Sequence, residues 1–250
     1  MPIEIKSVGV LGGGVMGAGI AQALAVGGLK VAVRDISDEL IEKARSTIVD
    51  GRYGLKRGVE RGKTTQEQMD AAIANLSFTT NLDDLKDVDL MIEAVPEDLD
   101  LKKKVWAEAD GVVQPQAVFA TNTSGLVIGE LNQAVSESRR PQFIGAHWFS
   151  PAPVMKLVEL VHAPETAEET LQALESVCQR IGKASVRVKD APGKYGFIAN
   201  RVYFAAVREA QAVLAEGIAS AEDINKAMVQ GYNWPIGPLA MVEGARKGWQ

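Results

Sequence analysis

The sequence predicts an α/β protein, a doubly wound sheet followed by a smaller all-α domain. Three observations carry that expectation. Apolar runs rich in Val, Ile and Phe alternate with helical patterns over most of the chain. A glycine-rich turn stands between the first of these runs and the first helical pattern. Past a turn-rich "DAPG" at Asp190 to Gly193, the pattern becomes helical only. Strand runs that are apolar on both faces are those of buried parallel strands, and their alternation with helices makes a doubly wound sheet.

The elements follow in order. Strands are expected at "KSVGVLG", "LKVAVRD", "VDLMIEAV", "AVFATNT" and "FIGAHWF", with "KLVELVHA" as one more. Helical patterns lie at "MGAGIAQALAVGG", "DELIEKARSTIV", "TQEQMDAAIANL", "DLKKKVWAEAD" and "IGELNQAV". Thr166 opens a further helix with an expected capping box, "TAEE", in which Glu169 reaches back to the cap amide. After "SVRVKD" the character changes. Gly196 to Gly217 reads as one long helix, and "SAEDINKAMVQG" as another with Ser220 and Asp223 at capping spacing. The expected domains are therefore 1–190 and 191–250.

A chain of 250 residues holds one large domain or two smaller ones. Its apolar content of 46% and charged content of 24% are ordinary for a globular protein. A formal net charge of −5 gives no reason to expect nucleic acid or an anionic membrane as partner. The single cysteine, Cys178, excludes an intrachain disulfide and fits a reducing, cytoplasmic setting, with a buried thiol in a helix as its default place. Val8 to Leu29 has no charge over about a membrane-spanning length. Its glycines would break a spanning helix, so it reads as strand, turn and buried helix. No metal site is expected.

Gly12-Gly13-Gly14-Val15-Met16-Gly17 fits G-x-G-x-x-G after a strand and before a helix, the context of a Rossmann-type dinucleotide site. Gly12 permits the tight turn, Gly14 admits the pyrophosphate to the backbone, and Gly17 lets the helix pack on the strand. Asp35 ends the second strand about 20 residues later, where a carboxylate accepts the ribose hydroxyls. It would repel a 2′-phosphate, which favours NAD over NADP; Arg34 tempers that preference. Glu93, Glu97 and Lys102 cluster after the strand "DLMIEAV", where ligands of such sheets lie. Glu97 and Lys102 are expected to flank the nicotinamide side, or else to be a helix-start acid and a solvated lysine.

His147 stands among apolar and aromatic residues in "GAHWFSPAPVMKLVEL". Pro151 and Pro153 cannot donate to a ladder, so the chain turns there. In the run that follows, Leu157, Glu159 and Val161 share one face. A carboxylate on an apolar face is costly without a partner. A returning strand would bring Glu159 to His147, where it would accept from Nδ1 and leave Nε2 as an acceptor, the arrangement of a general base. A satisfied core histidine is the alternative.

In order along the chain, "GVMGAGIAQ", "EAVPEDLDLKK", "TNTSGL", "GAHWFSPAPVMKLVEL", "GFIANR" and "WPIGPLAM" resemble the L-3-hydroxyacyl-CoA dehydrogenase family, whose members include 3-hydroxybutyryl-CoA dehydrogenases. The resemblance spans nearly the whole chain. It implies that His147 is the catalytic base and Glu159 its partner. It implies that Ser124 lies near both nicotinamide and substrate, that Asn200 meets the substrate oxygen, and that Glu97 and Lys102 contact the cofactor. An acyl-CoA substrate, NAD, a role in fatty-acid β-oxidation and a homodimer through the helices after Gly196 come with it. The sequence departs from the family in three places. "PGKYGF" carries extra residues where the family usually reads "PGF". Ser150 stands where an asparagine is common. The sequence stops at Gln250, where the family usually continues with more helix, so part of the dimer or substrate surface is expected to be missing or replaced.

For the coenzyme A moiety, the basic stretch "RYGLKRGVERGK" offers Lys56 and Arg57, equally readable as a solvated helix face. Two other functions remain open on the residues: a dehydrogenase of a free hydroxy acid, which needs no basic stretch, and a non-catalytic NAD-binding module, which needs no His147, Glu159, Ser124 and Asn200 together.

Overall fold

The computed structural model describes residues 3–246. The chain divides into two compact units, Met1–Lys194 and Tyr195–Gln250.

The first unit is built on an eight-stranded sheet: β1 (Ser7–Leu11), β2 (Lys30–Arg34), β3 (Leu76–Thr79), β4 (Leu90–Glu93), β5 (Val118–Thr121), β6 (Phe143–Trp148), β7 (Leu157–His162) and β8 (Ala184–Lys189). Their spatial order is β3-β2-β1-β4-β5-β6-β7-β8. All neighbours are parallel except β6 and β7, which run antiparallel. Helices of this unit are α1 (Val15–Val26), α2 (Asp38–Asp50), α3 (Leu55–Glu60), α4 (Gln66–Ala74), α5 (Leu99–Asp110), α6 (Ile128–Leu131) and α7 (Glu168–Arg180). This is the doubly wound sheet that the sequence predicts, and Val8 to Leu29 forms β1, the glycine turn and α1. Among the described residues no helix is long and apolar enough to cross a membrane.

The central strands are buried along their length, and one apolar cluster joins Val8, Val10, Leu90, Ile92, Val118 and Ile144 to Ile20 and Leu24 of α1. Helix α2 is amphipathic and buries only Ile41, Ala44 and Ile48, a helix-spaced stripe. A fully buried isoleucine such as Ile48 contributes about 1.5–3 kcal/mol. The entry to β6 is pinned by Arg139, whose guanidinium donates to Asp110 and to the carbonyls of Val113, Gln114 and Ala117. Cys178 is buried in α7, where desolvation pushes its thiol up to about 12.

Two local expectations are corrected and one strand is added. The helical pattern through Leu76 stops at Ala74, and Leu76 starts β3, a short and half-exposed edge strand. "SVRVKD", left without an element, forms β8 on the opposite edge. The capping box at Thr166 is absent: Ala167 is the N-cap, and Thr166 Oγ1 donates to Phe143 O while accepting from Ala163 N. That hydroxyl joins the helix start to β6, a long-range bond that local spacing does not reveal.

The second unit holds α8 (Ile198–Ala215), α9 (Ala221–Tyr232) and α10 (Pro238–Arg246). Ser220 caps α9 by accepting from Asp223 N at 3.1 Å, as the spacing suggests. In the stretch with extra residues, Gly193 and Gly196 have φ of 94° and 90°, a backbone that favours glycine.

Candidate active site

The glycine turn closes the carboxyl end of β1. Gly12 has φ of 94°, and its amide donates to Arg34 O, which ties the turn to β2. A Cβ on Gly17 would lie 1.8 Å from Gly12 O, so only glycine allows this approach of helix to strand. A Cβ on Gly14 would meet nothing within 4 Å, so the space before the helix is open. Helix α1 begins with no side-chain cap and no acidic residue in its first turn. Its unclaimed amides and positive end suit a pyrophosphate, with Val15 exposed and Met16 partly so beside them. Asp35 lies one residue beyond β2; its Oδ2 accepts from Gly13 N at 2.7 Å and its Oδ1 from Ile36 N. The carboxylate is thus fixed against the glycine turn. These residues fit a bound NAD.

A buried polar network follows β4. Glu93 and Thr121 are register partners on β4 and β5, and both are fully buried. Glu93 accepts from Lys102 Nζ at 2.6 Å, Thr121 Oγ1 at 2.7 Å and Val95 N at 2.8 Å. Burial still pushes its carboxyl above the usual range, against the pull of Lys102 and these bonds. Lys102 Nζ also lies 3.4 Å from Glu97 Oε2. Glu97 Oε1 in turn accepts from Thr123 Oγ1 at 2.7 Å and Ser124 N at 2.8 Å. Glu97 and Ser124 are therefore brought together, as partly exposed groups at the sheet's carboxyl edge. The side chain of Lys102 is 1% exposed, so it is not a solvated lysine; its ammonium is held between Glu93 and Glu97. The sequence reading missed Thr121 and Thr123; hydroxyls at the ends of buried strands were their signal.

His147 and Glu159 are register partners across the antiparallel pair β6 and β7. His147 Nδ1 lies 2.8 Å from Glu159 Oε2, with the imidazole nearly buried and the carboxylate wholly so. A carboxylate that accepts from Nδ1 leaves Nε2 as the acceptor nitrogen. The ring of Phe149 packs 4.6 Å from the imidazole, centroid to centroid. Trp148 N donates to Asn122 Oδ1, tying the strand end to the loop that carries Ser124. Asn200 lies in the second unit, on the first turn of α8. Lys56 and Arg57 lie exposed on α3, paired with Asp50 and Glu60 at 2.6 Å each. Among the described residues there is no cluster of metal-ligating side chains.

Residues 7–191 match the family profile described as 3-hydroxyacyl-CoA dehydrogenase, NAD binding domain. Residues 196–246 match the 3-hydroxyacyl-CoA dehydrogenase, C-terminal domain. The 3-hydroxybutyryl-CoA dehydrogenase of Mycobacterium tuberculosis is 39% identical over 243 residues, which cover 96% of this chain and 82% of that one. The mitochondrial hydroxyacyl-coenzyme A dehydrogenase of Rattus norvegicus is 36% identical, covering 96% and 76%. The crystal structure of (S)-3-hydroxybutyryl-CoA dehydrogenase from Ralstonia eutropha matches with a TM-score of 0.89 at 41% identity, covering 95% and 81%. With both units matched in order, the chain belongs to the 3-hydroxyacyl-CoA dehydrogenase family and is an NAD-dependent oxidoreductase.

Proposed function

We propose that the chain oxidises an L-3-hydroxyacyl-CoA to the 3-oxoacyl-CoA, with His147 as general base and Glu159 as its partner. The observation that carries this reading is the 2.8 Å contact between His147 Nδ1 and a fully buried Glu159. His147 Nε2 takes the proton of the substrate's 3-hydroxyl. Glu159 stabilises the imidazolium that forms, and the proton then leaves to solvent. Bound NAD would supply the acceptor for the hydride that leaves C3. Ser124 and Asn200 hydrogen-bond the reacting oxygen or the thioester carbonyl, and Lys56 and Arg57 meet the coenzyme A phosphates. Glu97, backed by Lys102, flanks the nicotinamide. The pathway that fits is fatty-acid β-oxidation, in the cytoplasm. NADH formation against hydroxyacyl-CoAs of graded length and against the free hydroxy acids tests the substrate class. Turnover of the free acids at equal efficiency would contradict it.

The cofactor reading has its own test. Asp35→Ala removes the acceptor for the ribose hydroxyls and the charge that repels a 2′-phosphate. NAD affinity is expected to fall about tenfold, and discrimination against NADP to relax, as fluorescence titration of NADH and NADPH would report. A wild-type preference for NADP would contradict the role of Asp35.

Assembly is proposed through the second unit, where the apolar side chains of Val202, Phe204, Leu214 and Ile218 are 65%, 44%, 41% and 68% exposed. A homodimer through this region is expected. Light scattering at micromolar concentration tests it, and a monomer would exclude it.

A further inference from the structure

The turn that joins the two strands of the His147–Glu159 pair lies at the carboxyl end of β6, the ligand edge of the sheet. Pro151 and Pro153 supply it with no amide donors. The amides of Val154 and Met155 both fold back onto Pro151 O at 3.0 Å. The turn is thus closed on itself; at its end Lys156 O accepts from Ala184 N at 2.7 Å, and a side chain adds a second tie to the rest of the unit. Lys183, the residue before β8, donates from Nζ to Ala152 O at 2.8 Å and to Met155 O. The same ammonium sits 5.2 Å from the centre of the Trp148 ring. Burial holds the Lys183 amine below its usual value, so placing a charge here has a cost. From the other side the turn meets α1. A Cβ on Gly19 would lie 3.0 Å from Pro153 Cδ and 3.2 Å from Ala152 Cβ. The turn is therefore gripped between the dinucleotide helix and Lys183. Its outer side carries Val154 and Met155, 48% and 39% exposed.

We propose that Lys183 is a positioning residue: by holding the turn between Ala152 and Met155, it keeps Val154 and Met155 as a fixed apolar ledge for the acyl chain of the substrate. Two apolar side chains held exposed beside a binding edge, on a turn that is fastened from both sides, suit a preformed contact for an alkyl group. A longer chain covers more of the ledge, so losing its order costs more for longer substrates. This inference rests on the acyl-CoA reading of the site.

The test compares Lys183→Met with wild type on 3-hydroxybutyryl-CoA and 3-hydroxyoctanoyl-CoA. Methionine keeps the apolar stem over Trp148 and removes both donors. KM is expected to rise about twofold for the four-carbon substrate and about tenfold for the eight-carbon one. NADH affinity and kcat are expected to stay within about twofold of wild type. Ile48→Val, a core change remote from the turn, serves as the stability control: a similar loss in Tm should leave KM unmoved at both lengths. Val154→Ala, at an exposed position that does not threaten folding, should reproduce the length-dependent rise and should not add to Lys183→Met. Equal KM changes at both lengths, or unchanged KM in Val154→Ala, would overturn the ledge. If folded His147→Gln keeps ordinary kcat, it is the acyl-CoA reading that fails. If that variant is inactive and Lys183→Met keeps wild-type KM, only the ledge fails.

Discussion

His147→Gln is expected to lower kcat by about 10²–10⁴-fold while NAD affinity stays unchanged. Glutamine can still pack between Phe149 and the strand and can still meet Glu159, but it cannot take a proton from a hydroxyl. The dinucleotide turn and Asp35 are built on β1, α1 and β2, apart from β6, so cofactor binding has no reason to follow. Glu159→Gln should fall between wild type and His147→Gln, because it keeps shape and removes the charge that favours the imidazolium. The double variant should be no worse than His147→Gln alone, since both changes act on one proton transfer. A core-histidine role predicts another pattern: both variants would lose stability, and the folded fraction would turn over normally. Recording kcat and Tm on the same preparations separates the two.

Lys102→Met carries the largest expected cost in stability, about 3–5 kcal/mol in chemical denaturation. It leaves Glu93 fully buried with its cationic partner gone, held only by Thr121 Oγ1 and Val95 N among the bonds described above. Burial already pushes the Glu93 carboxyl up, and losing Lys102 pushes it further. A carboxyl whose folded pKa lies above its unfolded one favours the folded state below the unfolded pKa and loses that contribution as pH rises. The deficit of Lys102→Met should therefore widen from acid to neutral pH. Adding Glu93→Gln removes the stranded charge and should recover much of the loss. A Lys102→Met protein as stable as wild type at neutral pH would contradict the buried pair.

Both effects depend on contacts of unequal visibility in the sequence. The His147–Glu159 pair was legible because strands have period two: the alternation in "KLVELVH" put Glu159 on an apolar face, and two prolines forced the return that the register His147↔Glu159 now displays. The glycine turn was legible because each glycine answers a distinct steric demand, of which the 1.8 Å approach at Gly17 is the sharpest. The cluster of Glu93, Glu97 and Lys102 was legible, but the burial of Lys102 was not: its neighbours in "DLKKK" make it look like a solvated face, and only the parallel register that sets Glu93 beside Thr121 reveals a buried anion for it to neutralise. Thr166 misled for the same reason, its hydroxyl being taken by Phe143 O rather than by the helix start. The edge strands β3 and β8 escaped notice because half-exposed strands lack the continuous apolar run that marks the central ones. Local patterns thus carried the fold and the dyad, while buried polar pairing between distant segments had to be seen in space.

The central claim is that His147 acts as the general base and Glu159, through its contact with Nδ1, as its partner. The kcat of hydroxyacyl-CoA oxidation tests it most directly, measured on wild type, Glu159→Gln, His147→Gln and the double variant with NADH affinity and Tm recorded on the same preparations. The account predicts a loss of about 10²–10⁴-fold in His147→Gln, an intermediate loss in Glu159→Gln and a double variant no worse than His147→Gln, with NADH affinity unchanged. A folded His147→Gln enzyme with ordinary kcat, or losses that add in the double variant, would contradict it.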